Sequence, residues 1–198
     1  YYKYYLAYYL NLKINQMETK ISIRPITEED TDTIIKWRND PSVSQYFIYR
    51  KPFTRESHLN WFHNKVLKGE VAQFIIMKDD ESIGSVYLRD IDQENKKCEF
   101  GIFIGEVSNC GKGYGTLASK LIIDYAFNIL KLNKIFLRVF STNTRAIKCY
   151  EKNGFKQEGF FREDIIIDGK PFDLIFMSIL RKDWLNNNKK ESNSITMK

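Results

Sequence analysis

The chain runs to 198 residues, 43% hydrophobic and 28% charged, which suits one globular domain with a core of its own. The formal net charge of +6 does not make a nucleic-acid groove: Lys3 and Lys13 carry two charges before Met17, Lys189, Lys190, Glu191 and Lys198 sum to two more near the other end, and two are left for the body. Cys98, Cys110 and Cys149, odd in number and far apart, argue against a disulfide framework and for a reducing, cytoplasmic setting, while His58 and His63 have no thiolate near them in sequence and give no metal pattern.

Residues 1–16 hold six of the twelve tyrosines, and they lack both a secretory cleavage site and the roughly 18 apolar residues of a membrane span. They read as an extension outside the fold, with Met17 the first methionine. Alternation of Ile21 and Ile23 predicts a strand over 20–24, closed by Pro25. Thr27 and Asp30, three apart, predict a capped helix carrying Ile34, Ile35 and Trp37 as far as Pro41. A second helix begins at Thr54 or Ser57, places Leu59, Phe62 and Val66 at helical spacing and stops at Gly69. Two β-rich runs, 71–77 and 83–88, flank the charged turn 79–82 as a hairpin. Another strand spans 98–104, with Phe100, Ile102 and Ile104 on one face and Glu99, Gly101 and Phe103 on the other. The helix over 117–130 presents an apolar stripe, and the strand 134–140 after it implies a parallel pairing through a crossover. A short helix over 143–152 is stopped by Gly154, and strands 155–161 and 173–180 close the chain around the Asp168-Gly169 turn. Residues 185–198 turn polar and Asn-rich and read as a mobile tail, leaving 17–184 as the domain.

Between the strand at 98–104 and the helix lies Cys110 followed by Gly111-Lys112-Gly113-Tyr114-Gly115-Thr116. Glycine allows positive φ and a close backbone approach, and the opening N–H groups of a helix lack partners and sit at its positive end, so the loop suits a phosphate or pyrophosphate. Its spacing matches neither a nucleoside-triphosphate loop nor a dinucleotide fingerprint.

The order of elements, the loop at 111–116 and the segment from Asn143 through Tyr150 to Gly154-Phe155 resemble the GNAT family of N-acetyltransferases over roughly residues 20–184. Cys110 departs from the Arg, Gln or Trp that many members carry there. The resemblance implies an α/β fold with a mixed central sheet of six to seven strands flanked by helices, the Gly-rich loop preceding the central helix. It also implies acetyl-CoA as co-substrate and no metal. Backbone groups of Gly111, Lys112, Gly113, Tyr114, Gly115 and Thr116 would hold its pyrophosphate and Asn143 its pantetheine or phosphate arm. The strand end at Phe103 and Ile104 would splay from its parallel neighbour to pair with pantetheine and polarise the thioester carbonyl. Tyr150 matches the family's usual general acid, although Ala146, Ile147 and Tyr150 also form the apolar side of a helix. Glu99 is either a base acting through water or a satisfied structural carboxylate.

For the acceptor, the stretches 36–41, 44–47 and 56–59 are similar to the amino-sugar-nucleotide N-acetyltransferases of pseudaminic acid biosynthesis, which acetylate the 4-amino group of a UDP-linked 4-amino-4,6-dideoxy sugar. Arg38 and Asn39 would then bind phosphate or sugar hydroxyls, with His58 and Trp61 at the mouth; core packing of Trp37 or Trp61 and a surface ion pair for Arg38 are the alternatives. The segments 101–104 and 161–164 are also similar to ribosomal-protein N-terminal and spermidine acetyltransferases, and a non-catalytic acyl-CoA-binding module is a third reading. The partner expected is a small amine, not nucleic acid or membrane, and a homodimer is left open.

Overall fold

The computed structural model describes residues 13–16 and 19–196. These fall into two compact units, one of the residues up to Asp90 together with Phe100–Ile122, the other of Ile91–Glu99 together with those from Ile123 onward.

Strands β1 (Lys13–Gln16), β2 (Thr19–Pro25), β3 (Ala72–Lys78), β4 (Glu81–Asp92) and β5 (Lys97–Ile104) follow one another in the sheet in chain order, all in the first unit but for the last two residues of β4 and the first three of β5. Ile21 and Ile23 are buried as their alternation requires. The Thr27 and Asp30 capping box is present, but the turn it opens, Glu28–Asp30, is 3-10, and helix α1 (Thr31–Asn39) begins after it. Asp30 is buried against Arg24, whose two terminal nitrogens reach its carboxylate at 2.6 and 2.8 Å. Burial pushes that carboxyl up, but the hydrogen bonds from Arg24 and Thr27 outweigh it and hold the group below its usual range.

Pro41 does more than stop α1. With Asp40 as cap it opens a four-residue helix, α2 (Pro41–Ser44). Helix α3 (Arg55–Trp61) is capped by Thr54, which accepts from the N–H of Ser57 at 3.1 Å, and it runs into a π turn, Phe62–Val66. The wider turn leaves His58, Phe62 and Val66, at intervals of four, as its buried residues. Around them Ile26, Ile34, Trp37, Val43, Val71, Ile75 and Phe103 form one core cluster, with Phe47 and Trp61 packed against it.

In the second unit the strand order is β5, β6 (Lys134–Phe140), β8 (Lys170–Leu180), β7 (Lys156–Ile167). The β5–β6 pairing is parallel, as the crossover requires, and the rest antiparallel, so the sheet is mixed. Ile135, Leu137 and Val139 are buried on one face of β6. Asp168 and Gly169 both take positive φ, 51° and 74°, as a two-residue hairpin demands. Helix α4 (Tyr114–Asn128) is apolar round most of its girth rather than along one stripe: Ala118, Leu121, Ile122, Ile123, Tyr125, Ala126 and Phe127 are all buried. Helix α5 (Thr144–Lys152) follows β6.

Strands β2 to β8 make up the seven expected, and β1 is an eighth, within the stretch read as an extension; residues 1–12 lie outside the described residues. At the other end, where the sequence reads as a mobile tail from 185, helix α6 (Arg181–Thr196) follows β8. Trp184 is buried against Phe127, ring centroids 5.4 Å apart, and Lys156 pairs with Asp183 at 3.2 Å.

Candidate active site

The glycine loop belongs to the first unit. After β5 the N–H of Gly105 donates to the carbonyl of Ile83 at 2.9 Å, and a 3-10 turn, Val107–Asn109, carries the chain to Cys110. Gly111 and Gly113 stand at φ 77° and 85°, and nothing lies within 4 Å of where their Cβ atoms would be. The requirement for glycine there is conformational rather than steric. The N–H of Leu117 closes a helical bond onto Gly113 at 3.1 Å, so Tyr114 and Gly115 form the opening turn at the positive end of a fifteen-residue helix. Gly111, Lys112 and Gly113 are exposed. This is an anion cradle that fits a pyrophosphate.

The same unit holds the four residues expected to contact the acceptor. The Arg38 guanidinium lies over the rings of Phe47 and Phe53, 4.4 and 4.2 Å from their centroids, with Tyr87 close to it. Gly101 makes room for Tyr87, since a Cβ there would meet the ring at 2.2 to 2.6 Å. Burial pulls Arg38 below its ordinary value, with Tyr87 opposing the shift. Among the described residues no carboxylate forms an ion pair with Arg38, and its Nε is buried without a partner, so the surface ion pair of the alternative reading is not made.

Asn39 is engaged otherwise than expected: its side chain donates to the carbonyl of Phe53 at 2.9 Å and accepts from the N–H of Phe53 at 2.8 Å. It clasps the loop that carries Phe53, one of the two rings at Arg38. His58 is 1% exposed and so does not line an open mouth; both ring nitrogens lack partners. Burial, and next the charge of Arg38, pull its pKa down to about 4, so the ring is neutral at pH 7. Trp61 packs on His58 at 5.5 Å and on the core, and Trp37 is 2% exposed, so both tryptophans take the packing role.

Glu99, Asn143 and Tyr150 belong to the second unit. Glu99 is 6% exposed and meets Arg138 with both carboxylate oxygens, at 3.2 and 3.4 Å from Nη2. Asn143 caps α5, accepting from the N–H of Ala146 at 3.2 Å. Tyr150 is 8% exposed beside Phe155, ring centroids 5.9 Å apart. The parallel ladder of β5 on β6 covers Lys97, Cys98 and Glu99 and then ends, while β5 continues to Ile104. Phe103 is buried in the first unit's core, against Phe47 and Trp37, so it is through its backbone that it could meet a ligand.

Sequence reasoning passed over Phe47, Phe53 and Tyr87 around Arg38, and Arg138 opposite Glu99. An arginine at the centre of the apolar run of β6 was a signal for the last of these. Burial pushes the Cys98 thiol up to about 12, which makes it inert. Among the described residues no group of three His, Cys, Asp or Glu gathers to hold a metal, and no helix is long and apolar enough to cross a membrane.

The loop and the helix it opens suit the pyrophosphate of an acyl-CoA, as an acyl-CoA-dependent transferase requires. An Acetyltransferase (GNAT) domain model matches residues 20–156, and the chain belongs to that family: it is an acetyl-CoA-dependent N-acetyltransferase. It is 31% identical over 170 residues to the spermidine N(1)-acetyltransferase of Escherichia coli, covering 85% of this chain and 90% of that one. With acetyltransferase PseH of Campylobacter jejuni it shares 33% over 131 residues, 66% of this chain and 79% of that. The solved Vibrio cholerae spermidine N-acetyltransferase, in complex with CoA and spermine, superposes with a TM-score of 0.78 at 27% identity over 83% of this chain and 98% of that.

Proposed function

We propose that the chain moves the acetyl group of acetyl-CoA to the 4-amino group of a UDP-linked 4-amino-4,6-dideoxy sugar, by direct attack in a ternary complex. The observation that carries this acceptor is Arg38. A half-buried guanidinium with no carboxylate paired to it among the described residues is costly to hold and is relieved by an anionic ligand. A polyamine would bring more positive charge to it. The similarity to PseH and the resemblance of residues 36–41 and 56–59 to the pseudaminic acid enzymes support the same acceptor.

In this reading the backbone N–H groups at 111–116 hold the pyrophosphate and the backbone of Phe103 and Ile104 pairs with pantetheine. Asn143 acts chiefly through the helix it caps. The neutral amine attacks the thioester carbon, the C–N bond forms and the C–S bond breaks. The Tyr150 hydroxyl gives its proton to the departing sulfur, and the amine's proton leaves through water. Of its two expected roles Glu99 takes the structural one, because its charge is already engaged by Arg138.

A second reading is acetylation of spermidine, favoured by relatives of that name which match a larger share of the chain. Release of free CoA thiol with the UDP-amino sugar, spermidine and a ribosomal-protein N-terminal peptide as alternative acceptors decides between them. Turnover with the sugar nucleotide is expected, and turnover with spermidine alone would replace the acceptor while keeping the transferase.

A further inference from the structure

We propose that Trp37 and Glu106 form a strut that sets the entry of the cofactor loop, making both of them positioning residues for acetyl-CoA. The indole Nε1 of Trp37, on α1, donates to Oε1 of Glu106 at 3.0 Å, and Lys36 Nζ lies 3.4 Å from the same oxygen. The face of the indole covers Gly105, where a Cβ would come within 2.2 Å of its Cγ and Cδ2, so the chain passes Trp37 only as glycine. On the β4 side Gly105 is tied to Ile83. Glu106 then starts the turn that ends at Cys110: the N–H of Asn109 donates to the carbonyl of Glu106 at 2.9 Å.

Of the two partners of Glu106, the indole matters more. Lys36 and Glu106 have side chains 72% and 43% exposed, so their ion pair is screened and contributes little. Trp37 is 2% exposed, and its N–H, if left unmatched, bears the full cost of a buried donor. Accordingly the indole N–H is the first cause holding the Glu106 carboxyl below its usual range.

The loop at 111–113 is exposed, with open space around both positive-φ glycines, so its own side chains do little to place it. Its position is set by its ends: α4 after it and Glu106 before it. Releasing Glu106 from Trp37 lowers the fraction of molecules whose loop is ready for the cofactor, and the apparent affinity falls by that fraction. Once CoA is bound the chemistry is unchanged. The inference rests on CoA binding at this loop and is independent of the acceptor.

The test is calorimetric titration of CoA, without acceptor, into the full chain and its Glu106→Ala, Glu106→Gln and Trp37→Phe variants, paired with kcat and the KM for acetyl-CoA. Glu106→Ala, a change at a half-exposed side chain, is expected to bind CoA about tenfold more weakly, with KM raised in step and kcat kept. Trp37→Phe follows it. Glu106→Gln stays within about twofold of wild type, because its amide oxygen still accepts the indole N–H. Unchanged CoA affinity in Glu106→Ala overturns the strut. So does Glu106→Gln falling as far as Glu106→Ala, since the negative charge and not the indole acceptor would then matter. A wild-type chain that takes up no CoA would overturn the cofactor site and the strut together.

Discussion

At Tyr150 core packing and the proposed chemistry fall on one residue. Its burial beside Phe155 is what a core tyrosine would show, yet the same burial suits a phenol that must deliver a proton in a site with little water. Tyr150→Phe keeps the ring and removes the hydroxyl. Steady-state kinetics are expected to show kcat down by about 10² to 10⁴, the usual worth of a general acid, with the KM for acetyl-CoA little changed. Equal rates for the two proteins would remove Tyr150 from the chemistry. His58 makes a different prediction, about pH. The unfolded ring takes a proton near 6.5 and the folded one near 4, so between these values the unfolded state binds more protons and stability falls with falling pH. The loss is fully spent below about 4. By pH 5 it amounts to as much as about 2 kcal/mol. Urea midpoints at pH 7 and pH 5 should converge in His58→Gln; an undiminished drop in that variant would place the proton elsewhere.

At the scale of elements, the sequence told strands and helices apart nearly throughout, because apolar spacing and capping residues act locally. Thr27 and Asp30 cap as their spacing suggests; of the two starts offered for the second helix Thr54 is the cap, and Asn143, read as the first residue of its helix, stands one place ahead as the cap of α5. The misses have local causes as well. Strands β7 and β8 run on through 162–167 and 170–172, across the charged residues Arg162, Glu163 and Asp164 that break the apolar run, because β7 ends the sheet and is exposed along most of its length. A helix that buries one tryptophan needs few other apolar residues, so α6 forms in a stretch whose polarity read as tail. Pairing across strands was beyond periodicity altogether. Nothing local joins Glu99 on β5 to Arg138 on β6, yet the pair closes the second unit's parallel junction. Arg138→Ala would take the guanidinium from a buried carboxylate, and a loss of about 2 kcal/mol or more in denaturant unfolding is expected, reduced from the usual figure because Arg138 is partly exposed. Arg138→Ala matching wild-type stability would show that water replaces the pair.

For the molecule as a whole, the reaction was more legible than the acceptor. The glycine loop and the segment from Asn143 to Phe155 are short motifs, and they were enough to point to the acetyl-CoA on which the family depends. The proposed acceptor side rests on side chains that meet only in three dimensions: Arg38 from α1, Phe47 and Phe53 from the link between helices, and Tyr87 from β4, admitted by Gly101. Sequence named Arg38 but could not say that no carboxylate pairs with it among the described residues. The measurement that tests the account most directly is the ratio of kcat/KM for the UDP-amino sugar to that for spermidine, in the wild-type chain and in Arg38→Gln. The account predicts a ratio well above one in the wild type, falling at least about tenfold in the variant through loss of the nucleotide substrate, as removal of one charge-assisted contact implies. A wild-type ratio below one, or a ratio indifferent to Arg38, would contradict it.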